Sequence, residues 1–246
     1  MHTTANHLAS TMPMFDHSAF TDGNIDPKLV DHANTIVDRA RSALVDKLST
    51  RGPTASHTLA AYAIAYFQAH MRRALEFLDG GMEEMSNGRA LVATTCARSV
   101  LESVACFHDF CRRLTLLLDE GDMVKALTFI VGQAFATKMS RLHDQDLNNV
   151  ATNVVSQVDR LDKLAPGVRE VYNQLSETTH PNGIGAVGYF VHVDHEAGIA
   201  HFQPADRHQI NLVRLLGVAN FLEQMLGDMR ALATRIDAII REDQAE

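Results

Sequence analysis

Residues 206–242 read DRHQINLVRLLGVANFLEQMLGDMRALATRIDAIIRE, in which Leu212, Leu215, Leu216, Ala219, Leu222, Met225, Leu226, Met229, Leu232 and Ile236 recur every three or four positions. That spacing lines one face of a helix with apolar side chains, so the stretch predicts one long amphipathic helix. The same reading extends through the rest of the chain. Asp26-Pro27 supplies an N-cap and a proline at the first helical position, and Leu29, Val30, Ala33, Ile36, Val37, Ala40, Leu44 and Leu48 predict a helix over 27–49. Leu59, Tyr62, Ala63, Tyr66, Phe67, Ala74 and Leu78 predict a second over 55–79, stopped by Gly80-Gly81. A third runs over 87–119, and others over 122–142, 145–164 and 167–180, the last stopped by Pro181-Asn182-Gly183. Only 187–193 and 199–202 are β-rich, flanking Asp194-His195-Glu196-Ala197-Gly198 as a hairpin flanks its loop. The fold expected is an all-α helical bundle with a small inserted β-hairpin near residues 187–202. It forms one domain over 26–246, after a polar segment, 1–25, expected to be disordered.

Composition bounds the function classes. A chain of 246 residues, 46% hydrophobic and 21% charged, buries roughly 70–75% of its unfolded surface and needs no disulfide or metal to hold a core. Its formal charge of −8 argues against loose binding to a phosphate backbone, which depends on excess cations, while allowing a local basic pocket. Cys96, Cys106 and Cys111 splay around a helix at about 100° per residue and read as buried structural thiols. The N-terminus has no apolar run of signal-peptide length. The longest apolar stretch, 126–136, is interrupted and short of the roughly 20 residues of a membrane span. The expectation is a cytoplasmic protein with no membrane partner.

Two segments carry candidate chemistry. Tyr172, Leu175, Ser176, Thr179 and His180 fall on one helical stripe, four of them polar. His180 precedes Pro181, where a helix must stop, and a histidine beside hydroxyls is suitable acid–base equipment. The bland alternative is that Ser176 and Thr179 bond back to the helix while His180 caps its last carbonyls. Arg98 and Glu102 are spaced i,i+4, so Glu102 either pairs a partly buried arginine or holds it for an anionic ligand. Elsewhere, His192, Asp194 and His201 could share the hairpin as metal ligands, although a solvated loop is the simpler reading, and no metal or other cofactor is expected. His70 reads as a hydrogen-bonded core histidine, and His108-Asp109 with Arg112-Arg113 as a solvated helix face.

The run from Arg73-Ala74-Leu75-Glu76-Phe77-Leu78 through Gly80-Gly81 to Arg98-Ser99-Val100-Leu101-Glu102 resembles the central helices of a bacterial HEPN-like family of unknown function. That family carries Arg-x-x-x-Glu in a long helix and, much later, Tyr-x-x-Leu-Ser-x-x-x-His, matched here by Tyr172, Leu175, Ser176 and His180. The resemblance covers residues 60–225. It implies a helical bundle, often a homodimer. In active members it implies metal-independent RNA cleavage in toxin–antitoxin or phage-defence systems, with an Arg and a His acting on the scissile phosphate and 2′-hydroxyl. The active signature places an Arg before the His with four to six residues between them, where this chain has Asn173, Gln174 and Leu175. Arg98 would have to serve from another helix.

Two functional readings follow. In one, the chain acts on RNA as a defence or toxin-type effector: His180 is the acid or base, Arg98 holds the phosphate, and Ser176, Tyr172 and Glu102 orient them. Thr179 and Asn182 would be binding residues, and an antitoxin a partner. In the other, it is a non-catalytic interaction module whose Arg/Glu/Ser/His cluster fixes helix register while the hairpin or terminal helix binds a protein partner.

Overall fold

The computed structural model describes residues 13–20, 25–50, 53–143, 149–204 and 207–245. Its helices are α1 (Pro27–Ser42), α2 (Ala55–Ser86), α3 (Ala90–Asp119), α4 (Met123–Ala134), α5 (Val154–Leu164), α6 (Val168–Thr179), a single turn α7 (Gly188–Phe190), α8 (His208–Asn220) and α9 (Leu222–Ala245). One antiparallel hairpin, β1 (Val191–Asp194) and β2 (Ile199–Phe202), interrupts them. The chain is therefore a mostly helical bundle with a small hairpin.

α3 is the axis of the molecule. α2, α4, α5, α6, α8 and α9 all pack on it, and Ala97, Val100, Leu101, Val104, Phe107, Phe110 and Leu114 on its inner faces are buried. By length and composition alone α3 qualifies as a membrane span, a candidate the sequence reading passed over in favour of 126–136; in this fold more than half of its apolar window lies inside the protein. A helix apolar on several faces belongs in a core because neighbours approach it from several sides.

Several boundaries differ from those expected, each for a packing reason. α1 ends at Ser42 rather than 49, because the Gln68 side chain of α2 takes over the unwound backbone. Its Nε2 donates to the Ala43 carbonyl (2.8 Å) and its Oε1 accepts from the Val45 N–H (3.0 Å). α2 does not stop at Gly80-Gly81 but runs seven residues past 79 to Ser86. Gly81 is a notch rather than a breaker: a Cβ there would stand 2.7 Å from Leu215 Cδ2 and 3.2 Å from Cys96 Cβ. The true stop is Asn87-Gly88, where Gly88 takes φ +72°.

α4 ends at Ala134 instead of 142. Asn149 donates from Nδ2 to the Leu142 carbonyl (2.9 Å), and Thr137 forms an isolated bridge with Val150. α5 begins at Val154, capped by Asn153, instead of at 145; residues 144–148 lie outside those described. The C-terminal run breaks once, at Phe221, where Phe221 N–H bonds to the Val218 carbonyl and Gln224 N–H to the Phe221 carbonyl.

The expected disorder of residues 1–25 does not extend to 13–20. Phe15 is fully buried in the core, and its N–H and carbonyl are both held by the Asn34 side chain at 2.9 Å. One large aromatic outweighs a polar neighbourhood because it buries roughly 150–250 Å². Residues 1–12 and 21–24 lie outside those described.

Candidate functional site

The two motif segments meet. α6 packs on α3, and the Arg98 guanidinium sits between them with each nitrogen engaged. Nε donates to Glu102 Oε1 (3.0 Å), Nη1 to Thr179 Oγ1 (3.1 Å) and Nη2 to the Tyr172 hydroxyl (3.1 Å). Tyr172 OH in turn donates to Glu102 Oε1 at 3.3 Å, and the guanidinium carbon lies 5.3 Å from the Tyr172 ring centre. Burial works against the charge on Arg98, but the Tyr172 hydroxyl and Glu102 carboxylate more than offset it and raise its pKa. The arrangement is a clamp joining two helices.

Ser176 and His180 stand outside it. At about 100° per residue, Thr179 lies only ~20° around the helix from Tyr172, whereas Ser176 lies ~40° away. The Ser176 Oγ is buried and has no hydrogen-bond partner among the described residues. His180 has already left the helix, with φ −77° and ψ 145°, as a residue preceding proline should. Its side chain is exposed and makes no hydrogen bond among the described residues; it is its backbone N–H that caps, donating to the Ser176 carbonyl at 3.0 Å.

Asn182, expected as a binding residue, is committed to the turn that follows. Its Oδ1 accepts from the N–H groups of Ile184 (3.0 Å) and Gly185 (2.9 Å), and its Nδ2 donates to Glu177 Oε1. Those bonds start a π-turn over Gly183–Val187 in place of the β-structure expected from 187. Gly185 closes the turn against the end of α6: a Cβ would stand 2.0 Å from the His180 carbonyl oxygen and 2.4 Å from that of Thr178.

The chain then enters a second anchor. Tyr189 is buried, its hydroxyl 3.3 Å from Thr94 Oγ1 and 3.4 Å from Asn211 Nδ2; Thr94 also donates to Asn211 Oδ1 at 2.9 Å. Arg207 covers the Tyr189 ring at 4.6 Å and donates to the Gly188 carbonyl at 2.8 Å. Clamp, turn and anchor together fix the base of the hairpin. Beyond them it projects, with every residue of β2 exposed and Phe202 at 81%.

The remaining candidates are structural contacts. Asp109 is buried and shared by Arg112 (3.1 Å) and Arg160 (2.8 Å), and His108 Nδ1 lies 3.0 Å from Asp228 Oδ2, so this stretch ties α3 to α5 and α9 instead of facing solvent. His70 packs against Tyr66, ring centres 4.4 Å apart and tilted by 43°, with Nε2 4.0 Å from Cys106 Sγ and Nδ1 buried without a partner among the described residues. Burial, aided by Arg73, lowers its pKa to about 4. Cys106 also faces Tyr66 OH (3.5 Å) and Gln157 Nε2 (3.7 Å), and burial raises its thiol pKa, as it does for Cys96 and Cys111. His192 and His201 have ring centres 6.4 Å apart, and among the described residues no three His, Cys, Asp or Glu side chains converge as metal ligands would.

Sequence reasoning missed the Thr94–Tyr189–Asn211 and Asp109–Arg160 groups. Their members lie 22 to 117 and 51 residues apart, and no local spacing signals them. No protein-family model matches this chain, and no curated protein or solved structure does either.

Proposed function

We propose that this chain is a non-catalytic helical interaction module, of the HEPN-like kind its two motifs resemble, which holds its β-hairpin out as a binding surface. The observation that carries the reading is the engagement of all three Arg98 nitrogens by Glu102, Thr179 and Tyr172. A guanidinium tied through all three nitrogens is fixed between α3 and α6, and it can offer a phosphate only the two N–H donors left on Nη1 and Nη2. The clamp lies directly upstream of the turn that supports the hairpin, which gives it a structural purpose.

The second reading, action on RNA, rests on His180, whose exposed imidazole is one residue from the clamp. One experiment separates the two. Mixed RNA is incubated in EDTA with wild type, His180→Ala and Arg98→Met, and the melting of each protein is followed. The module reading expects intact RNA throughout, an unchanged melting temperature for His180→Ala and a lowered one for Arg98→Met. Cleavage by wild type that His180→Ala abolishes, with the variant still folded, overturns it.

A further inference from the structure

The hairpin lacks partners in three respects. β1 and β2 pair with each other and with no other strand among the described residues, although a lone two-stranded ribbon is marginal in water. Val191, Val193, Ala200 and Phe202 share one face through the register Val191↔Phe202 and Val193↔Ala200. Of these, Val193 and Phe202 remain 42% and 81% exposed. The outer edge of β1 is also open among the described residues. Gln203 N–H bonds to the Phe190 carbonyl at 3.1 Å. Alternation along an antiparallel ladder then makes His192↔His201 and Asp194↔Ile199 the bonded pairs. The N–H and C=O groups of Val191 and Val193 consequently point outward, and an open edge is a template for another strand.

That edge is complementary to itself. Two β1 strands, antiparallel about a two-fold axis at Val193, place Val193 opposite Val193 of the second copy, with their outward groups reciprocally bonded. His192 then lies opposite Asp194 of the second copy, and the pair occurs twice. These are the positions between ladder bonds, where Cα atoms are about 4.5 Å apart and side chains meet most closely. His192 is exposed. Asp194 uses Oδ1 to accept from the N–H groups of Glu196 (3.0 Å) and Ala197 (2.9 Å), and its Oδ2 has no partner among the described residues. The β2 edge offers no such match: pairing about Ala200 sets Ile199 against His201, and pairing about His201 sets imidazole against imidazole.

We propose that a second copy of this chain occupies the β1 edge, pairing about Val193 to build a four-stranded antiparallel sheet with one continuous apolar face. The proposal rests on the reading of the hairpin as the binding surface and names its partner. Val193 and Phe202 of each copy, 42% and 81% exposed, then lie on the same side of that sheet.

The test is sedimentation equilibrium of the full chain, with wild type, His192→Glu, Val193→Cys and Ala200→Cys. Wild type is expected to be a dimer at tens of micromolar. His192→Glu, which sets carboxylate against carboxylate twice, is expected to weaken the dimer about tenfold without changing the melting temperature. On oxidation Val193→Cys is expected to cross-link as a covalent dimer on a non-reducing gel, because facing Cα atoms at a bonded pair stand about 5.5 Å apart. Ala200→Cys, on the far strand, is expected to behave as wild type. A monomeric wild type, or failure of Val193→Cys to cross-link, overturns the proposal. Either result, with RNA left intact, leaves the module reading in place with a different partner, whereas His180-dependent RNA cleavage ends that reading whatever the oligomeric state.

Discussion

Replacing Arg98 with Met keeps the aliphatic stem against its neighbours and removes the guanidinium. Three hydrogen bonds are lost, two to hydroxyls and one to a carboxylate. A neutral hydrogen bond contributes about 1 kcal/mol net and one to a charged group about 1.5–3 kcal/mol. Arg98 and Glu102 are 26% and 22% exposed, which screens the charged contribution toward its lower end. Glu102 is not orphaned, since it still accepts from the Tyr172 hydroxyl. The expected destabilisation is about 3–4 kcal/mol, or roughly 6–15 °C in melting temperature for a chain of this size. Far-ultraviolet circular dichroism melts of wild type, Arg98→Met, Glu102→Gln and the double variant form a cycle. The expected coupling is about 1 kcal/mol, because the two side chains touch. An Arg98→Met melt within a degree of wild type, or a coupling indistinguishable from zero, would refute the clamp and leave the guanidinium available to a ligand.

Three further outcomes are expected. Gly185→Ala drives a Cβ into the carbonyl oxygens of Thr178 and His180, backbone atoms with no room to yield. It should cost about 3 kcal/mol and speed proteolysis within 181–203, and an unchanged digestion pattern would contradict the tight turn. His70 is neutral in the fold down to about pH 4, whereas the unfolded chain takes up its proton as pH falls through about 6.5. Folding is therefore weakened progressively between pH 6.5 and 4, by about 2–3 kcal/mol; His70→Leu should flatten the urea-derived stability curve over that window, and parallel curves would dismiss the effect. Asp109→Ala should cost about 2–3 kcal/mol by leaving Arg112 and Arg160 without their shared carboxylate, while Asp119→Ala, an exposed partner of Arg235, should cost less than about 1 kcal/mol in the same unfolding assay.

What the sequence determined by itself was whatever physical chemistry writes within a few residues. Apolar spacing placed most of the helices, Asp26-Pro27 marked the start of α1, and the i,i+4 step put Glu102 within reach of Arg98. The stripe Tyr172–His180 drew attention to the right helix but not to the right members. Thr179 reaches Arg98 while Ser176 and His180 do not, because a difference of ~60° around the helix between Ser176 and Thr179, and the unwinding before Pro181, decide which side chain faces α3. Tertiary structure decided everything that depended on a neighbour from far along the chain. Gly81 is a notch because Leu215 leans on it, and α1 stops early because Gln68 can hold its loose backbone. Phe15 is core because Asn34 satisfies its peptide groups. Such contacts join residues 19 to 134 positions apart, and the free energy of burial that selects them is assigned only when the whole core closes. The hairpin is the converse case. Its strands were legible from local pattern, but only the fold reveals that β2 is exposed along its length and that, among the described residues, the edge of β1 pairs with no further strand.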